Sequence, residues 1–513
     1  MYPMNNKGTD YYIQAGKRAM EWHQRHIAEM RKCRFDTIAV HGIYSMQEAL
    51  DFNQGSIIEP VYMSTSQHFR DADEMEAALS YQTPTWCYSR IANPSMYYYE
   101  GVLALLESYN SGVEATCAAT SSGMSAIQSA VDPFLITHPE EPHGTMNFVA
   151  PCQVYGGTFQ HFSIRKEQER NIQWRKVINP AHVDEWAALI DENTRFLYGE
   201  IPTNPGQDFF DIAAVADVAH AHNLPLIIDS TVATPALLRP LALGADIVVQ
   251  SVTKTLFSSG FGIAGAVIAR KNLCTTIDND QLKEDFCGYL KLLPNRDNGP
   301  NISPMTAVLA LNDIRTLRSK IDLMSRSTQK IAEFLAGHKH IEQVNYLGLP
   351  SNPLHQLARK DMVLVDSEYD DVYQPAGSLP AGTRPAGDRP AGGGPGTPVN
   401  RYGHLMSFTV KGAVQNTRNV FDAFRRIWRA TDLGRIKSVA TIPAISTHQQ
   451  QGEEGRQLAG IPANLIRLCV GGEHPDDIIA DLSQALDVLD GKKWSVDYPD
   501  FSAGGASSAK LGS

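Results

Sequence analysis

Between about residues 111 and 270 the chain alternates short, almost continuously apolar runs with helical periodicities. The runs lie at 146–150, 196–201, 225–229, 246–250 and 265–269. A strand that is apolar at every position is buried on both faces, and helices between such strands supply the cover. Residues 213–222 carry a helical pattern between two runs, and 237–243 a shorter one between the next two. The expectation is a set of βαβ units around a mostly parallel sheet, an α/β domain whose ligands bind at the carboxyl ends of the strands. The flanks read differently. Residues 15–34 are amphipathic and helical, and 306–335 form a helical connection to a second domain. Beyond it 405–410, 435–439 and 465–470 read as strands and 476–489 as an amphipathic helix, which gives a smaller C-terminal α+β domain. The division is an N-terminal arm over 1–75, a large domain over 76–315, a C-terminal domain over 316–495 and a flexible tail over 496–513.

One segment breaks these periodicities. The tripeptide PAG recurs at Pro375, Pro380, Pro385 and Pro390 inside an insertion spanning about 366–400. Proline and glycine at this density support neither a helix nor a sheet ladder, so 374–398 is expected to be an exposed, disordered loop. Such a loop is either a tolerated surface insertion or a substrate gate or partner-binding segment.

Composition narrows the function. The 513 residues are 43% hydrophobic, enough to build two or three packed domains. A net charge of −11 argues against nucleic acid or an anionic membrane as partner. No run approaches the roughly 18 apolar residues of a membrane span, and no basic start precedes an apolar core, so a cytoplasmic protein is expected. The seven cysteines are scattered with no CxxC pair, which speaks against a disulfide framework or a metal site and for a reducing compartment.

The chemistry gathers at predicted strand ends. Lys254 closes the sequence Ser251-Val-Thr253-Lys254, just past the run at 246–250, so its amine reaches the crevice where ligands bind and can condense with an aldehyde. Ser251 and Thr253 offer hydroxyls to a phosphate on the same side. Asp229 ends the run 225–229, where a buried carboxylate needs a cation, and a protonated pyridine nitrogen is one. Thr120-Ser-Ser-Gly-Met-Ser opens a helix whose amides suit an anion. Asn204 sits in a proline-flanked turn after another strand, and Tyr155 on a glycine loop where its ring can stack on a planar group.

These elements, in this order, resemble the Cys/Met-metabolism family of pyridoxal-phosphate enzymes, which includes cystathionine γ-synthase, O-acetylhomoserine sulfhydrylase and methionine γ-lyase. The resemblance rests on YSRIANP (88–94), SSGMSAI (121–127), YGGT (155–158), EIPTNP (200–205), DSTVATP (229–235), GADIVVQSVTK (244–254) and LIRLCVGGEHPDDIIADLSQAL (465–486). It implies a fold-type I aminotransferase-like architecture and pyridoxal 5'-phosphate held as a Schiff base on Lys254. It further implies that Asp229 pairs with the ring nitrogen, and that Ser122, Gly123, Met124, Ser251 and Thr253 hold the phosphate. Asn204 faces the ring hydroxyl; Tyr155 stacks on the ring and is a candidate to protonate a leaving group. Tyr88 and Arg90 serve the neighbouring subunit's site, so the assembly is at least a homodimer and in this family commonly a homotetramer. Arg467, Asp432 and Ser438 bind the substrate, Arg467 through its α-carboxylate.

Three departures bear on the substrate. Where relatives carry an imidazole after the lysine segment, this chain has Phe261. Where they read Ser-Leu-Gly, it reads Asp432-Leu-Gly, a carboxylate that either points away from the substrate carboxylate or binds an amino or cationic group. Where they have His-Pro, it has Ile442-Pro443. The expected reaction is γ-replacement on a homoserine-derived or γ-sulfonium amino acid, passing through a vinylglycine-type ketimine, with a sulfur or carbon nucleophile in specialised metabolism. A γ-lyase releasing ammonia and a 2-oxo acid is the alternative. A non-catalytic protein on this fold would have lost Lys254 or Asp229, and both are present.

Overall fold

The structure, a computed structural model, describes residues 7–80, 82, 86–136, 146–369 and 396–492. The PAG repeats and the 496–513 tail lie outside the described residues. The large domain is built on a seven-stranded sheet: β1 (Ala115–Thr120), β2 (Asn147–Pro151), β3 (Gln173–Val177), β4 (Thr194–Glu200), β5 (Leu226–Asp229), β6 (Ile247–Gln250) and β7 (Gly265–Arg270), in the order β1-β7-β6-β5-β4-β2-β3. β2 to β6 pair in parallel, whereas β7 runs antiparallel to both β1 and β6. The apolar runs of β2, β5 and β6 are buried at every residue, as strands covered on both faces require. The helix predicted over 213–222 is Ile212–Ala221, and the shorter one is a 3-10 turn at Pro240–Leu243.

Register decides what meets at the strand ends. Glu200 on β4 pairs with Asp229 on β5, and Asp229 in turn with Val249 on β6. Three neighbouring strands therefore release their chains at one edge, and Lys254 follows β6 within four residues.

Helix Leu317–Ala336 leads into the smaller domain. It buries Leu317, Ile321, Met324, Thr328, Ile331 and Leu335, a spacing that lines one face of a helix. That domain holds a five-stranded sheet, β8 (Ile341–Asn345), β9 (Leu405–Val410), β10 (Trp428–Arg429), β11 (Val439–Thr441) and β12 (Leu465–Cys469), ordered β10-β11-β12-β9-β8. The strand expected at 435–439 is displaced to β11, because Arg435 reaches the crevice wall and the Ser438 amide goes to Glu473, leaving the Ser438 carbonyl to accept from Trp428 at the start of the ladder. The arm begins with helix Thr9–Met30, and further along it Met46, Leu50, Phe52, Ile57 and Met63 leave large apolar side chains exposed.

Candidate active site

The first wall of the crevice is assembled from strand ends. Asp229 is buried, and its Oδ1 accepts from the Thr231 amide at 3.0 Å and the Thr231 hydroxyl at 2.6 Å. The same hydroxyl accepts from the Ser251 amide at 2.8 Å, so one threonine ties the end of β5 to the segment after β6. Asp229 meets no basic side chain among the described residues, and burial pushes its carboxyl up. Helix Gly123–Val131 points its first turn at this edge, capped by Ser122, whose Oγ accepts from the Ser125 amide at 3.1 Å. A Cβ at 123 would fall 2.6 Å from the Ser251 hydroxyl, so only glycine lets the helix start lie against Ser251. The Thr253 hydroxyl is held by the backbone of Ala264, accepting from its amide at 2.9 Å and donating to its carbonyl at 3.0 Å.

Tyr155 opens the short helix Gly156–Gln160, and burial raises its phenol. Its ring folds back so closely that a Cβ at 157 would lie 2.6 Å from it and 3.1 Å from the Met124 sulfur. Glu200, which the sequence reading gave no role, organises this side. Its carboxylate accepts from the Tyr155 amide at 2.6 Å and the Asn204 amide at 2.8 Å, and burial together with Asp229 pushes it well above the usual carboxylate range. Its place at the head of EIPTNP was the available signal.

The facing wall comes from the smaller domain. Arg467, on β12, is buried to 1% exposure. One terminal nitrogen donates to Asn204 Oδ1 at 3.2 Å, the other to the carbonyls of Thr431 at 3.0 Å and Asp432 at 2.7 Å. Its Nε is buried with no hydrogen-bond partner among the described residues. Lys254 Nζ donates to Asp432 Oδ1 at 2.7 Å, and Asp432 Oδ2 accepts from Arg435 Nε. Burial alone would raise the Asp432 carboxyl; Lys254, the Leu433 amide and Arg435 outweigh it and hold it below the usual range. Cys469 Sγ accepts from the Gly434 amide at 3.0 Å and lies 3.4 Å from Nδ1 of His404, whose other nitrogen meets the Thr255 hydroxyl. His448 is buried with its Nε2 unpartnered among the described residues, and burial beside Arg467 pushes it down to about 4.

The structure thus brings together Lys254, Asp229, Ser122, Gly123, Met124, Ser251, Tyr155, Asn204, Arg467 and Asp432, with Thr253 behind them. It does not bring Ser438, Tyr88 or Arg90 to this crevice. The Ser438 hydroxyl donates to Glu473 at 2.9 Å and accepts from the Gly471 amide at 2.9 Å, which ties two loops together. Arg90 lies near the Tyr88 ring and donates to the Arg296 carbonyl of its own chain. Phe261 is exposed. Among the described residues no group of His, Cys, Asp and Glu is placed to hold a metal ion, and no helix is long and apolar enough to cross a membrane.

The chain is similar to known proteins over most of its length. The family model described as Cys/Met metabolism PLP-dependent enzyme matches residues 36–366 and 397–487, and its gap falls at the insertion. The chain is 31% identical over 462 residues to O-succinylhomoserine sulfhydrylase of Pseudomonas aeruginosa, covering 90% of this chain and 97% of that one. It is 32% identical over 466 residues to L-methionine gamma-lyase of Porphyromonas gingivalis, with 90% and 99% covered. A Campylobacter jejuni structure containing N'-pyridoxyl-lysine-5'-monophosphate matches with a TM-score of 0.73 and 29% identity over 89% of this chain and 100% of that one. The residues here fit such a group. Asp229 is a buried carboxylate short of a cation, the start of helix Gly123–Val131 and Ser251 offer donors for a phosphate, and Lys254 offers the amine. The chain belongs to the Cys/Met-metabolism family of pyridoxal-phosphate-dependent enzymes.

Proposed function

We propose that this enzyme catalyses γ-replacement on an α-amino acid of the O-acetylhomoserine, O-succinylhomoserine or S-adenosylmethionine type, with a sulfur or carbon nucleophile taking the γ position, in specialised metabolism. The observation that carries the reading is the unsatisfied Nε of buried Arg467, across the crevice from Lys254. A guanidinium held by Asn204 and two carbonyls, with its Nε–H and one terminal N–H left over, is prepared for a carboxylate, and the α-carboxylate of an amino acid is the match. Relatives named as an O-succinylhomoserine sulfhydrylase and an O-acetyl-L-homoserine sulfhydrylase support the donor class.

Bound here, pyridoxal phosphate supplies an electron sink that stabilises negative charge on the substrate's reacting carbons. Asp229 would hold the ring nitrogen protonated. The amides at the start of helix Gly123–Val131, with the Ser251 hydroxyl, would hold the phosphate, and Asn204 would face the ring hydroxyl. Thr253 would set the loop that carries Lys254. Lys254 takes protons from Cα and Cβ and returns them, work that needs an amine at the strand end and not a fixed charge. Tyr155 would stack on the ring, and its phenol would protonate a departing group. Gly157 leaves room for the tyrosine ring, which occupies the volume a side chain there would take. Tyr88 and Arg90 serve the neighbouring subunit's phosphate in at least a homodimer. The exposed apolar residues of the arm support such an assembly.

The purified holoenzyme, given each donor with hydrosulfide or a thiol, should form the γ-substituted amino acid, read by mass spectrometry. Ammonia and a 2-oxo acid as the main products with every donor and acceptor would overturn the reading in favour of the γ-lyase.

A further inference from the structure

The segment after β10 carries a carboxylate where the family resemblance implies a serine, and that carboxylate has a defined set of partners. Asp432 Oδ1 accepts from Lys254 Nζ at 2.7 Å and from the Leu433 amide at 2.9 Å, and Oδ2 from Arg435 Nε. Arg435 is itself fixed by the carbonyls of Thr253 at 3.0 Å and Phe257 at 3.2 Å, which braces the carboxylate from behind. Through its own carbonyl Asp432 also accepts from Arg467 at 2.7 Å. One residue therefore touches the proton-transferring amine with its side chain and the carboxylate-binding guanidinium with its backbone.

The charge arithmetic changes whenever the Lys254 amine turns away from Asp432, to the cofactor before the donor binds or to the substrate's Cα and Cβ during proton transfer. Asp432 Oδ1 then lacks the N–H cation that faced it. The side chain is only 29% exposed, so water replaces that partner incompletely. What remains is an acceptor left open on the crevice side and braced by Arg435. An anionic nucleophile such as hydrosulfide meets like charge at that point, in a site where screening is weakened by burial.

We propose that Asp432 selects a co-substrate bearing a protonated amino group, which docks at the Oδ1 position now held by the Lys254 amine. The proposal rests on the γ-replacement reading and adds to it the class of the second substrate. Asp432 is the specificity residue, and Arg435 is a positioning residue that keeps the carboxylate turned into the crevice.

Two thiols of nearly equal shape test this: 2-(dimethylamino)ethanethiol, which carries an N–H cation and cannot form an imine with the cofactor, and 3-methylbutane-1-thiol, in which CH replaces the charged nitrogen. Calorimetry on the holoenzyme without donor gives the affinity ratio between them. That ratio should fall roughly ten- to a hundredfold in Asp432→Asn and in Asp432→Ser, the size of one lost charge-assisted hydrogen bond, with cofactor absorbance retained. A ratio unchanged in both variants overturns the proposal. Coupling assays with O-acetylhomoserine separate the other failure: a wild-type enzyme that consumes donor yet joins neither thiol nor hydrosulfide to it refutes the γ-replacement reading and the proposal with it.

Discussion

At the strand ends of the large sheet, Asp229, Ser251 and Thr253 are satisfied by atoms a few residues away or on the adjoining segment, with Thr231 serving the first two and Ala264 the third. Across the crevice, Arg467 and Asp432 come from β12 and the loop after β10 and meet Asn204 on the turn after β4, and each of the three is held by another of the set or by Lys254. The first wall is preset by sheet register and local turns. The second exists only while two domains stay in register. The first wall can therefore keep its shape without the smaller domain, whereas the second cannot.

The sharpest way to break this comparison is to damage each wall once. Lys254→Ala should abolish borohydride trapping of the cofactor and lower turnover by roughly 10²–10⁴-fold or more, with circular dichroism unchanged. Arg467→Lys should keep the trapped cofactor and raise the donor KM roughly ten- to a hundredfold, because a lysine cannot reproduce the fork. A lysine variant of Arg467 that no longer holds cofactor would show that the walls are one unit.

A smaller effect sharpens the electrostatics of the first wall. The Asp229 carboxyl is raised by burial, so its favourable contribution to the cofactor-free fold is full below the unfolded carboxylate pKa and is lost as pH climbs through the raised folded value. Asp229→Asn does not titrate. The cofactor-free variant should gain roughly 1–3 kcal/mol over wild type at alkaline pH, the gap closing under acid, while cofactor affinity falls. Melting curves across pH check it; a gap that widens towards acid would reverse the assignment.

The smallest effect belongs to neither wall. The chain leaves and re-enters the body at one clasp, where Leu364 donates to the Val399 carbonyl, Val399 to the Ser367 hydroxyl and Gly396 to the Glu368 carbonyl, each within 3.0 Å. Replacing 374–395 with a short Gly/Ser linker should change stability by less than about 1 kcal/mol and leave cofactor binding alone. A large fall in Tm would mean that the segment packs on the body, and a selective rise in KM that it gates the crevice.

The two walls also differ in how far the sequence disclosed them. Continuous apolar runs announced β2, β4, β5 and β6, and with them the positions of Asp229 and Lys254, because burial on both faces leaves no polar residue to blur the pattern. β3, Gln173–Val177, is an edge strand with partly exposed polar residues and gave no such run. The reversed direction of β7 is invisible in a pattern that reads the same either way. In the second wall Arg467 was legible as a lone charge within an apolar strand. The Asp432–Lys254 pair joins residues 178 apart in sequence, and no local periodicity reports such a contact. Ser438 illustrates the same gap, since its partner Glu473 lies on another loop.

Cys469 gives the second wall a clock. Its thiol, pushed to about 11 by burial, accepts from the Gly434 amide directly beneath the segment that carries Asp432. A buried thiol reacts with an alkylating reagent only during excursions that uncover it, and at a rate set by how often they occur. The modification rate of Cys469 therefore reports how frequently residues 431–438 lift from β12, and a bound amino acid that locks Arg467 to those carbonyls would slow it.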